Sequence, residues 1–228
     1  MCGRYTLVSP IEAIQSIFDI PGSLSALEQR FNLAPTQDAP VVRVNSESKA
    51  RELASLRWGL LPVFAKDLAY GSRLINARSE TAASKPSFRS AFRKRRCLVI
   101  ADGFYEWAGS GGSKRPHRFS LKTQEPFGMA GLWESWRPSG DASAIETFTI
   151  LTCEGNGDVA PIHHRMPVIL APGNFDRWLD PDCEDPEMLQ SVLRPLPAGL
   201  IHCIEVSTHV NSVRNNDARC LEPVAGLF

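Results

Sequence analysis

The spacing of apolar residues along the chain separates one clear helix from a series of short strands. Ile11, Ile14, Ile17 and Phe18 recur at helical spacing and stop before Pro21. Ahead of them, Ser9-Pro10-Ile11-Glu12 has the form of a capping box with proline at the first helical position. Most other apolar runs are short, rich in β-branched or aromatic residues and bounded by turn formers, which predicts strands over 41–44, 53–58, 98–101, 117–121, 127–132, 148–152, 168–170 and 201–206. Further helices are expected over 87–94, 173–179 and 186–193. Residues 108–116 (AGSGGSKRP) read as a hairpin loop, because their glycines do not follow a phosphate-binding spacing and no helix follows. Strands outnumber helices and do not alternate with them. The expectation is an α+β fold: a single domain over 1–228, with a mostly antiparallel, barrel-like β-sheet flanked by short helices.

Composition adds limits. The 228 residues are 43% hydrophobic, enough for a sizeable core, and no run approaches the ~20 apolar residues of a membrane span. The start MCGRYTLVSP has no signal-peptide apolar region, so no membrane or export role is expected. Lys and Arg (25) balance Asp and Glu (25). The distribution is uneven, however. No acid lies between Glu80 and Asp102, where Lys85, Arg89, Arg93, Lys94, Arg95 and Arg96 fall, while Asp176, Asp180, Asp182, Glu184, Asp185 and Glu187 cluster later. This permits a nucleic-acid face or merely a solvated helix surface. Six cysteines without a C-x-x-C pair give no support for disulfides or a metal site, and no cofactor is implied.

Cys2 follows a single residue, Met1. Removal of Met1 leaves a cysteine with a free α-amine of pKa about 7.7, roughly a sixth of it free base at pH 7. Such an amine condenses with an aldehyde to an imine, and the neighbouring thiol closes onto the imine carbon as a thiazolidine. An N-terminal cysteine also serves glutamine-hydrolysing amidotransferases, which makes an N-terminal-nucleophile amidohydrolase the rival reading. A plain single-stranded-DNA-binding module is the third.

Other polar residues stand in apolar surroundings. Asn76, Arg78 and Glu80 alternate, and in an extended segment they share one face. Glu106 lies between aromatics in Gly103-Phe104-Tyr105-Glu106-Trp107, where burial can raise a carboxyl into acid–base range. His163 and His164 precede an apolar strand. As neighbours they are expected to point apart, a poor metal pair but a candidate proton carrier. Trp58, Phe64 and Trp107 offer rings for stacking on bases.

Taken in order, Met1-Cys2-Gly3-Arg4, Asn32-Leu33-Ala34-Pro35-Thr36, Trp58-Gly59-Leu60-Leu61-Pro62, Ile75 to Thr81, Gly103 to Trp107, Ile162-His163-His164-Arg165-Met166-Pro167 and Val206 to Asn211 resemble the SOS-response-associated peptidase family. The resemblance implies recognition of abasic sites in single-stranded DNA, covalent crosslinking to them, and an autoproteolytic step that exposes the cysteine. It places the family's catalytic residues on Cys2, Asn76, Glu106 and His163, and its phosphate-contacting arginines on Arg4 and Arg78. His164 stands where the family usually has aspartate. The expected protein is a monomer acting on DNA in the cytoplasm, associated with the nucleoid when bound, with β-elimination as a side activity.

Overall fold

A computed structural model describes residues 2–109, 114–138 and 143–224. In chain order the first half comprises β1 (Tyr5–Leu7), α1 (Ile11–Phe18), β2 (Arg30–Leu33), β3 (Asp38–Val44), β4 (Arg51–Trp58), β5 (Asn76–Arg78), α2 (Ser79–Ala82), α3 (Arg89–Lys94) and β6 (Arg96–Ala101). There follow β7 (Gly103–Ala108), β8 (Arg115–Leu121), β9 (Phe127–Trp136), β10 (Ile145–Glu154), β11 (Arg165–Pro167), β12 (Ile169–Leu170), α4 (Phe175–Leu179), α5 (Pro186–Ser191) and β13 (Ile201–Glu205).

Five strands close on themselves. β10 pairs β4 in parallel, while β4–β3, β3–β6, β6–β9 and β9–β10 are antiparallel, so the ring has no open edge. β5 and β11 extend it along β10, and β12 along β9. A second sheet, in the order β13-β8-β7-β1-β2, is antiparallel throughout. One apolar cluster joins the two, running from Phe104 and Phe119 in the second sheet to Val99 and Phe148 in the barrel. The fold is α+β, mostly antiparallel and barrel-based, as the strand pattern implied.

The first strand is locked to both layers. The Tyr5 ring lies 5.2 Å from Trp58, which stacks at 6.2 Å on Phe148. Asp102, on the turn between β6 and β7, accepts from the Thr6 hydroxyl and from the backbone N–H groups of Val8 and Ser9. Gly59 has φ +127°, and a Cβ there would come within 2.8 Å of the Gly71 carbonyl oxygen. Only glycine lets the chain leave Trp58 against the 3-10 turn Leu68–Arg73.

Several expectations change. Ser9 does not cap α1; its hydroxyl donates to Asp102, and Pro10 occupies the cap position. The strands β1, β2, β5, β7 and β11 were not foreseen; β1, β5 and β11 are only three residues each, too short to show a period. Strand β5 ends at Arg78, so Glu80 sits in α2 instead of extending one face with Asn76 and Arg78. Of the hairpin loop expected over 108–116, residues 110–113 lie outside the described residues.

Candidate functional site

The antiparallel pairing of β1 with β7 aligns Tyr5 with Phe104 and Thr6 with Gly103, and the Tyr105 N–H donates to the Arg4 carbonyl at 2.9 Å. Continued toward the chain start, this register lays residues 2 and 3 beside Glu106. From the other side β5, held on β10, presents Asn76, whose Nδ2 donates to the Cys2 carbonyl oxygen at 2.7 Å. Cys2 is thus gripped between the second sheet and the barrel. It is fully buried in the chain that carries Met1.

Glu106 is 4% exposed, and the Nδ1 of His163 lies 3.9 Å from its Oε1. Both face a cleft of about 490 Å³ whose other lining residues are Arg4, Trp107, Lys114 and Asn211. Burial raises the Glu106 carboxyl above the ordinary carboxylate range, outweighing the nearby positive charge of Lys114. Burial also raises the Cys2 thiol, and the Glu106 charge adds to that. The same cause lowers His163, keeping it a neutral imidazole near pH 7. The Arg165 backbone N–H and carbonyl oxygen each lie 2.9 Å from His163 Nδ1, which fixes the orientation of the ring. The site therefore combines an un-ionised thiol, a carboxyl poised toward its acid form and a neutral histidine.

His163 and His164 do not point apart. They lie in a turn following residues 156–162, where strand alternation does not apply, and their rings stack 4.6 Å apart with His164 the exposed one. Arg165 anchors this segment: its two Nη groups donate to the two carboxylate oxygens of Glu80 at 2.6 and 2.9 Å, and Nη2 also reaches the Thr152 carbonyl.

Arg4 lies in the cleft wall. Its Nη1 donates to Asn32 Oδ1 at 2.9 Å and to the Val210 carbonyl at 3.0 Å, and its guanidinium sits 5.9 Å from the centre of the Trp107 ring. Asn32 is buried and donates to the carbonyls of Val210, Ser212 and Asn215, while Trp107 Nε1 donates to Asn211 Oδ1 at 2.7 Å. The segment 208–215 is thereby fastened as one rim of the cleft. Asn32, Lys114 and Asn211 were not singled out as site residues, although Asn32 and Asn211 lie within the family-like motifs.

The aromatic candidates divide. Trp107 is half-buried on the cleft, and Phe64 is 51% exposed but does not line it. Trp58 is fully buried, with its Nε1 donating to the Ile75 carbonyl, so it is a core ring and offers no face to a base. Arg78 is exposed at the end of β5, outside the cleft lining. Among the described residues no group of three or more His, Cys, Asp or Glu is placed to hold a metal ion, and no helix is long and apolar enough to cross a membrane.

The model of the family described as SOS response associated peptidase (SRAP) matches residues 1–213. The chain belongs to that family. A relative from Bacillus subtilis (strain 168), abasic site processing protein YoqW, is 40% identical over 97% of this chain and 99% of its own length. The Gallus gallus abasic site processing protein HMCES is 34% identical, over 85% of this chain and 66% of its own. A solved structure from Bacteroides thetaiotaomicron shares the fold with a TM-score of 0.86 at 23% identity, covering 98% of this chain and 100% of that one. One from Bordetella bronchiseptica, 29% identical, gives 0.74 over 90% of this chain and 100% of its own. The SRAP match thus spans every residue that lines the cleft, from Arg4 to Asn211.

Proposed function

We propose that this SRAP protein captures abasic sites in single-stranded DNA by forming a thiazolidine between Cys2 and the deoxyribose C1′. The relatives' names supply the lesion. The observation that carries the chemistry is the surroundings of Cys2: Asn76 holds its carbonyl at 2.7 Å, the Glu106 charge acts on its thiol, and His163 stands 3.9 Å from Glu106. Met1 must leave first, by the autoproteolytic step the family name implies, so that the Cys2 nitrogen becomes a primary amine.

Neutral His163 then takes the proton of the C1′ hydroxyl and returns it to the ring oxygen as the closed sugar opens to the aldehyde. The Cys2 amine adds to C1′, and Glu106 in its acid form gives a proton to the departing hydroxyl, releasing water and leaving an imine. The thiol sulfur adds to the imine carbon while its proton passes to nitrogen, with Glu106 as carrier. Overall, aldehyde and aminothiol give thiazolidine and water. Asn76 keeps Cys2 from swinging away, so closure is intramolecular. Arg4 and Arg78 hold flanking phosphates, and Trp107 and Phe64 contact bases. An imine at C1′ also acidifies C2′, which opens a β-elimination side path. The protein acts as a monomer, without metal or cofactor.

Intact mass of the purified protein, alone and after incubation with an abasic-site oligonucleotide, tests this directly. The expected result is a chain lacking Met1, then a denaturant-stable adduct heavier by the oligonucleotide less one water. Cys2→Ala abolishes the adduct. Retained Met1 with no adduct, or glutamine-derived ammonia in its place, overturns the reading.

A further inference from the structure

The arginines of the cleft region are mostly occupied. Arg4 spends Nη1 on Asn32 and Val210, Arg165 is held bidentate by Glu80, and Arg118 donates to the Asp102 carbonyl. Arg115, the first residue of β8, pairs with Glu205 at 2.9 Å. Its neighbour Lys114 differs. It is exposed, lines the cleft, and makes no hydrogen bond or ion pair among the described residues.

Topology puts Lys114 at the right place to act. The β7–β8 pairing aligns Glu106 with His117 and Ala108 with Arg115, so Lys114 stands at the hairpin end of the same ladder that carries Glu106 and Trp107. Among the described residues, the cleft wall it shares with Arg4, Trp107 and Asn211 contains no carboxylate other than Glu106.

We propose that Lys114 binds the phosphodiester flanking the captured sugar, so that the cleft selects an abasic site within a strand over a free aldehyde. This rests on the crosslinking function above and names a phosphate-binding residue beyond Arg4 and Arg78. It also couples binding to chemistry. The Lys114 charge pulls the Glu106 carboxyl toward ionisation. A phosphodiester seated on Lys114 offsets that pull, so the acid form of Glu106 is favoured when a strand is bound.

The test uses the full chain with a fluorescent abasic-site oligonucleotide, measuring half-saturation by anisotropy and adduct yield across a salt series. Lys114→Ala raises half-saturation about fivefold and lowers the slope of log affinity against log salt by about 0.7, with unchanged melting temperature. Lys114→Arg keeps both values near wild type. Replacing the phosphate beside the lesion by an uncharged methylphosphonate weakens the wild type similarly and adds nothing to Lys114→Ala. Reaction with a small phosphate-free aldehyde is not slowed in Lys114→Ala, because loss of the lysine charge leaves Glu106 no less protonated. Equal half-saturation and equal slopes for wild type and Lys114→Ala overturn the proposal while leaving crosslinking intact. Absence of any adduct with the wild type defeats the crosslinking reading, and the binding series still decides the role of Lys114.

Discussion

Two basic regions of this SRAP chain carry charge to opposite ends. The run from Lys85 to Arg96 is the denser in sequence, yet the fold consumes its C-terminal end. Arg96 is 4% exposed and donates to the carbonyls of Phe92, Arg93, Trp178, Asp180 and Cys183, tying the end of α3 to α4. Arg95 pairs with Glu134 and Lys94 with Glu184. The acidic cluster of 176–187 is thus in part the internal counterpart of the basic one, and Asp176 similarly takes Arg51. The cleft holds fewer cations, but Lys114 has no internal partner among the described residues and faces open space beside Glu106. A basic run measures how much charge a region has. Only contacts tell how much of it is left for a partner.

The largest break in the comparison is expected at Glu106, the buried carboxyl to which the proposed mechanism gives the acid step. Glu106→Gln slows adduct formation by about 10²- to 10⁴-fold, the usual worth of a positioned acid–base group. The pH profile sharpens this. The Cys2 amine must be free base, so the wild-type rate falls as pH drops below about 7.7. Glu106 must be protonated, so the rate also falls as pH rises through its raised pKa. Glu106→Gln removes the high-pH limb and keeps the low one. Stability moves the other way. A carboxyl whose folded pKa is raised contributes stability fully below its unfolded pKa, and that contribution is lost as pH rises through the folded value. The melting temperature of Glu106→Gln relative to wild type therefore increases from pH 4 to pH 7. A parallel loss of rate and stability at all pH values would make Glu106 a structural residue.

Arg96 breaks the comparison from the opposite side. Arg96→Ala leaves buried carbonyls without their donor and costs about 3 kcal/mol of stability in urea unfolding. Its rate of adduct formation per folded molecule stays at the wild-type value, as does its salt slope. A slope lowered as in Lys114→Ala would instead place this arginine on the DNA path.

How much of this was legible beforehand follows from range. Glu106 and His163 could be singled out because a charged or titratable residue inside an apolar segment is a local anomaly. Cys2 stood out by position alone. The α+β, barrel-like fold followed from many short apolar runs and few helices. What escaped depends on contacts between distant segments. Trp58 seemed available for stacking, but Tyr5 and Phe148 cover it from 53 and 90 residues away. Asn32 bridges Arg4 to the rim through carbonyls 178 to 183 residues later, which no spacing rule registers. Ser9 and Glu12 satisfied a capping pattern, but Asp102 offered the hydroxyl a better-placed acceptor in the core. The barrel closure rests on a short parallel contact of β10 with β4, which hydrophobic periodicity does not encode.

The smallest effect is expected at Arg89 and Arg93, two exposed arginines of α3. They make no side-chain hydrogen bond or ion pair among the described residues, so they resemble Lys114 in being unspent. They differ in place: neither lines the cleft. If nearness to the captured sugar decides which free cation matters, replacing both by Ala shifts half-saturation for a short abasic-site oligonucleotide by less than about twofold and stability by less than about 0.5 kcal/mol. The single change at Lys114 then outweighs a double change in the denser region. A short oligonucleotide is essential, because a long strand reaches any exposed cation through the general field. Should the double variant lower the salt slope on the short substrate by more than Lys114→Ala does, the strand runs over α3, and unspent charge outranks position.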